Sequence, residues 1–172
     1  MLLAILPATL AAQIPNATQI VALVRASPQL AIAHVPSSAF DAKTHPYVYI
    51  RGVPEGEYVG GYLISESARG GTLHDGQSAL AVPLESGGSG GVFTAIIFAR
   101  GGDRAYAYAG AIGSGGHLDV RVAGGAIVAT FPYYGANDPN CCPSKEIVQT
   151  YTIRNGRLVE LSEKRVDIPK HE

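Results

Sequence analysis

The segment IVQTYTIRNGRLVEL, Ile147 to Leu161, consists of two β-forming runs separated by Asn155-Gly156. That pair favours a two-residue type I′ hairpin, because both turn positions need positive φ. The turn sets the register, with Ile153 facing Leu158 and Tyr151 facing Glu160. An antiparallel hairpin is the expectation for this end of the chain.

Upstream, the same signals recur. Leu30 to Val35 and Tyr47 to Val53 are β-branched or aromatic runs fenced by Pro36, Pro46 and Pro54, and Tyr58 to Ser65 follows as the next strand. Glu66 to Gln77 reads as a loop punctuated by Gly70, Gly71 and Gly76. Ser78 to Leu84 and Val92 to Ala99 are nearly all apolar, the pattern of central strands covered on both faces. Arg104 to Ala109, Leu118 to Val122 and Ala126 to Phe131 continue the meander, with turns at Gly101-Gly102-Asp103, Gly113 to Gly116 and Gly124-Gly125. Before all of these, Asn16 can cap a helix over Ala17 to Ala26, with Ile20, Val21 and Val24 on one side and Pro28 past its end. The expected fold is mainly β. It is an antiparallel meander or curved sheet, barrel-like or a sandwich, with one short N-terminal helix.

The 172 residues suit one domain, and 47% hydrophobic against 16% charged residues excludes disorder. Net charge is −1, with five Lys/Arg against six Asp/Glu in residues 1–100 and eight of each in 101–172. No basic stripe exists of the kind nucleic-acid binding needs. Met1 to Ala12 is an uncharged apolar run ending in small residues and too short to span a bilayer. It reads as a signal peptide, truncated or misassigned at its start because the first cation is Arg25, with a buried helix as the alternative. The domain then covers 13–165. The charged tail from Ser162 reads as fraying, with 166–172 outside the domain.

Few residues suggest chemistry. Gly87-Gly88-Ser89-Gly90-Gly91 has the letters of a nucleophile elbow, which needs a strand before and a helix after. Here Val92 to Phe98 is a strand by composition, so a hydrolase on Ser89 is not the expectation. His34, His45, His74, His117 and His171 show no metal-ligand spacing. The unusual feature is Cys141-Cys142 within NDPNCCPS, residues 137–144. A vicinal disulfide, two structural thiols, or a redox or Cu(I) role are all open to such a pair. Adjacent Cα atoms are about 3.8 Å apart, closer than ordinary disulfides allow, so a vicinal bridge is strained.

The runs GGSGGVFTAIIFA, NDPNCCPS and VQTYTIRNGRLVE together resemble exported bacterial proteins that include the LppP/LprE family of lipoproteins. The likeness spans about half the chain, roughly Ala79 to Leu161, and its specific part is D-P-x-C-C-P-S, Asp138 to Ser144. It implies an extracytoplasmic location and no established catalytic activity. The family's lipid-attachment cysteine is missing near the N-terminus, which points to a secreted or periplasmic form. The expected function is a non-catalytic, secreted or envelope-associated binding or structural domain. It needs no cofactor or metal, and its partner is an envelope or extracellular molecule. Its contact surface is expected on the loop carrying Tyr133, Tyr134, Asp138, Pro139, Cys141, Cys142, Pro143 and Ser144. The alternative is a thiol-redox or Cu(I)-handling protein using the two cysteines.

Overall fold

The computed structural model describes residues 14–33, 45–52, 60–139 and 142–168. In chain order the elements are α1 (Ala17–Ala26), β1 (Leu30–Ala33), β2 (Tyr47–Ile50), β3 (Gly60–Leu63), a 3-10 turn (Ser65–Ser67), β4 (Arg69–Thr72) and β5 (Ser78–Glu85). There follow β6 (Val92–Arg100), β7 (Ala107–Gly113), β8 (Asp119–Ala123), β9 (Ala126–Tyr133), β10 (Lys145–Arg154) and β11 (Arg157–Asp167). The fold is mainly β, with two antiparallel sheets and one α-helix among the described residues.

The larger sheet has the order β1-β2-β3-β5-β6-β7, with β4 also paired to β5. β4 takes Ser78 to Ala81 and β3 takes Leu84 and Glu85, so both strands share one edge of β5. Pro83 falls in the gap between them, where a proline costs no ladder bond on that edge. The smaller sheet has the order β11-β10-β9-β8.

Alternation along β5 and β6 sorts their side chains into two cores. Leu80, Val82, Leu84, Ile96 and Phe98 join Ile20 and Val24 of α1 in one cluster. Ala79, Ala81, Ala95, Ile97 and Ala99 join Ile127, Tyr151 and Ile153 of the smaller sheet in the other. The central strands are thus covered on both faces, by a helix and by a second sheet. Within the described residues the sheets stay separate in their pairing and share this second core, so they form a sandwich rather than a closed barrel. They approach closely at two margins, where Gly71 lies against Val122 and Gly110 against Leu158. A Cβ at either glycine would sit 2.8 Å from its neighbour.

Local signals hold where they are strongest. Asn16 caps α1, accepting from the Gln19 N–H at 3.0 Å while the Gln19 side chain accepts from the Asn16 N–H at 2.8 Å. Ile20 and Val24 are fully buried. At the hairpin, Asn155 and Gly156 have φ of 52° and 72°, and Ile153 pairs with Leu158 and Tyr151 with Glu160.

Other boundaries move. The segment read as a loop, Glu66 to Gln77, contains β4, a strand of weak propensity that forms because β5 offers it an open edge. β7 begins at Ala107 rather than Arg104 and runs to Gly113. The tail does not fray from Ser162: Ser162 to Asp167 pair with Thr150 to Lys145, and the Ile168 N–H donates to the Ser144 carbonyl at 3.0 Å. Met1 to Ala12 and residues 169–172 lie outside the described residues. None of the described helices is long and apolar enough to cross a membrane.

Candidate functional site: the loop from Tyr133 to Ser144

The loop joining β9 to β10 is organised by one carboxylate. Asp138 Oδ2 accepts hydrogen bonds from the Gly135 N–H at 2.7 Å, the Ser144 N–H at 2.9 Å and the Ser144 hydroxyl at 2.8 Å. These donors favour the anion and hold the Asp138 carboxyl below its usual range, the Ser144 N–H most strongly. The backbone adds two short turns, Asp138 N–H to the Gly135 carbonyl at 3.1 Å and Cys142 N–H to the Pro139 carbonyl at 3.0 Å. Asp138 therefore ties the first residues of the loop to its last, an Asx-type role suited to a turn opened by Asp-Pro.

The two tyrosines part company. Tyr133 is half-buried, with the Arg165 guanidinium of β11 over its ring at 4.4 Å. Tyr134 is 45% exposed. Of the two, only Tyr134 is thus presented to solvent as a large aromatic surface, because Arg165 of the extended β11 lies over Tyr133. Pro139, Cys142 and Ser144 are exposed and Pro143 is half-buried. Asn140 and Cys141 lie outside the described residues. No described cysteine is a free thiol.

Tyr134 lines a depression of about 360 Å³ together with Pro132, His117, Gly115, Gly116 and Gly90. Three connections separated in sequence meet here: the β5–β6 turn, the β7–β8 connection and the β9–β10 loop. The β7–β8 connection lies along the start of β6, with Ser114, His117 and Leu118 N–H groups donating to the Phe93, Gly90 and Val92 carbonyls at 2.8, 3.0 and 2.9 Å. The Phe93 ring occupies the space a side chain would need at Gly90, which only glycine leaves open. His117 takes φ of 53°, one of two described non-glycine residues with positive φ. The glycine-rich turns were legible as turns, but nothing in the sequence signals that Gly90, His117 and Tyr134 meet.

Ser89 is exposed in the β5–β6 turn, followed by strand β6 and not by a helix, so the nucleophile-elbow context is missing. Its hydroxyl has no hydrogen bond to His117 or to any other described residue. His45 bonds Glu66 at 2.9 Å, and this bond holds the Glu66 carboxyl low. His34 and His171 lie outside the described residues. Among the described residues no group of three or more His, Cys, Asp or Glu side chains could hold a metal ion. What the site offers is an exposed aromatic ring, an imidazole and a pinned loop. The chain matches no protein-family model, no curated protein and no solved structure.

Proposed function

We propose that the protein is an exported, non-catalytic β domain that binds an envelope or extracellular partner through Tyr134 and the loop that carries it. The observation carrying this reading is the threefold hydrogen bonding of Asp138 Oδ2, which fixes the loop before any partner arrives. A pinned loop loses little conformational freedom on binding, and an exposed tyrosine beside a depression supplies contact area cheaply. The likeness to LppP/LprE proteins supports export. In this reading Cys141 and Cys142 form a vicinal disulfide that stiffens the same loop. The chain has two cysteines, and the absence of a free thiol at Cys142 supports the bridge. The competing reading needs a pair that is readily reduced to reactive thiols for redox exchange, or held as two thiolates for Cu(I).

One preparation separates these readings. The protein is exported from its host with a photo-crosslinking residue at position 134 or, as a control, at exposed Thr72. Its intact mass is then taken after alkylation without reductant. We expect a discrete adduct from position 134 alone, and a mass short of two hydrogens with no alkyl groups added. Equal adducts from both positions would remove the binding surface from consideration. Two alkylated cysteines would favour the thiol reading.

A further inference from the structure

At the other end of β6 lies a second depression, of about 460 Å³, lined by Arg100, Arg104, Gln77, Asn155 and Gly156 among others. The nine residues of β6 separate it from the Tyr134 surface by about 27 Å, at roughly 3.3 Å per residue. Here the β6–β7 turn meets the turn of the β10–β11 hairpin.

The lining carries two guanidinium groups and no carboxylate. Arg100 stacks over the Tyr106 ring, its Cζ 4.8 Å from the centroid. Stacking uses the face of the guanidinium and leaves its in-plane N–H groups as donors. Its Nε is shut from solvent with no hydrogen-bond partner, and Arg100 forms no ion pair among the described residues. Arg104 spends its Nε on the Gly101 carbonyl at 3.1 Å, which closes the turn and leaves its terminal amino groups. Arg154 and Arg157, paired across the hairpin, flank Asn155-Gly156 and bring two more cations to the same end. Against these four stand Asp75, which accepts from the Gln77 N–H at 3.0 Å, and Asp103 of the β6–β7 turn. In a chain of net charge −1 this is a local excess of positive charge.

We propose that this depression binds a small organic molecule through a phosphate or sulfate group held by Arg100 and Arg104. Guanidinium forks match tetrahedral oxyanions. The Gln77 side-chain amide spends its N–H groups on Asp75 Oδ2 and on the Ile153 carbonyl, so beside the arginines the Asn155 amide and the Gln77 oxygen are left to serve hydroxyls. The volume lies in the range of small-molecule sites and exceeds what a bare oxyanion fills. The anionic group therefore belongs to a larger ligand of about the size of a phosphorylated sugar.

The test is an amide NMR titration of the full chain at low salt with glucose 6-phosphate, inorganic phosphate and glucose. The phosphorylated sugar should give saturable shifts confined to amides of residues 100–107 and 155–156. Inorganic phosphate should shift the same amides with affinity lower by about tenfold, and glucose should shift none. R100Q/R104Q should weaken the phosphorylated sugar by at least about tenfold, because two charge-assisted donors are lost. K164Q, a cation on β11 outside the depression, should leave binding unchanged. Should the double variant fail to keep its dispersed spectrum, R104Q alone serves, since that side chain is exposed. Absence of saturable shifts, or equal affinity in the arginine variant, overturns the site. Equal affinity for phosphate and its sugar ester overturns the assignment to an organic ligand.

Discussion

Strands β5 and β6 present two unlike faces. Toward α1 they carry Leu80, Val82, Leu84, Ile96 and Phe98, and toward the smaller sheet they carry Ala79, Ala81, Ala95, Ile97 and Ala99. On the helix side the sheet supplies the bulk. On the sandwich side the bulk comes from across the gap, from Leu118, Ile127, Tyr151 and Ile153, and alanines receive it. Interiors pack to crystal-like density, so large residues on one layer require small ones opposite. The same sandwich side contains Gly71 and Gly110, which lie hard against Val122 and Leu158 of the smaller sheet. One face is therefore sensitive to losing volume and the other to gaining it.

The largest expected effect tests the helix side. Phe98 is fully buried and edge-on to Tyr108 at 6.4 Å. Phe98→Ala should lower unfolding free energy by about 3–5 kcal/mol, measured by urea denaturation. On the sandwich side Ala81→Leu should cost about 1–3 kcal/mol through overpacking. If Ala81→Leu proved neutral, the distinction between the faces would fail.

Base titration sharpens the comparison without changing the packing. Tyr151 is 9% exposed on the sandwich side, and its hydroxyl donates to Gln149 Oε1 at 2.7 Å. Burial, followed by Glu160 and Glu163, pushes its phenol up to about 12. Because the folded value lies above the ordinary value of about 10, its stabilisation is present below pH ~10 and lost as pH rises toward ~12. At about 1.4 kcal/mol per unit the loss should be at most about 3 kcal/mol, and smaller where solvent screens the phenol. Tyr151→Phe should flatten that part of the stability–pH curve. Burial also raises Tyr108, which packs on the helix-side core, so Tyr108→Phe gives the matching measurement for the opposite face.

The smallest global effect belongs to Asp138, which lies on neither face. Asp138→Asn should leave the thermal midpoint nearly unchanged while loosening the loop. The carboxyl is lowered in the folded state, so its contribution is present at neutral pH and lost as pH falls through that lowered value. The Gly135 and Ser144 amide shifts should titrate with a midpoint below about 3.9, and the variant should abolish the transition. A midpoint at or above the ordinary value would show that the three hydrogen bonds do not form in solution.

How much was legible depended on how local the cause was. The Asn16 cap, the helix it starts, the Asn155-Gly156 turn and the two-sided burial of β5 and β6 all follow from neighbouring residues, and all are present. β4 was hidden because Arg69-Gly-Gly-Thr72 has little intrinsic strand preference and is a strand only through β5. The tail looked frayed because Ser162 to Asp167 is polar, yet it is paired because Lys145 to Thr150 offers a free edge. In the candidate loop, the NDPNCCPS turn was legible from Asp138-Pro139. The split between Tyr133 and Tyr134 was not, since it depends on where Arg165 falls in the register of β11.

By itself, then, the sequence determined what adjacent residues control: backbone preference at Asn, Gly and Pro, capping, and the apolar alternation that makes β5 and β6 central. Only the tertiary structure decided which surfaces meet, bringing Gly90, His117 and Tyr134 to one end of β6 and Arg100, Arg104 and Asn155 to the other. The physical reason is one of range. Torsional and capping preferences act over a few residues, whereas contacts between residues distant in the chain follow from how whole sheets pack, which no single stretch encodes.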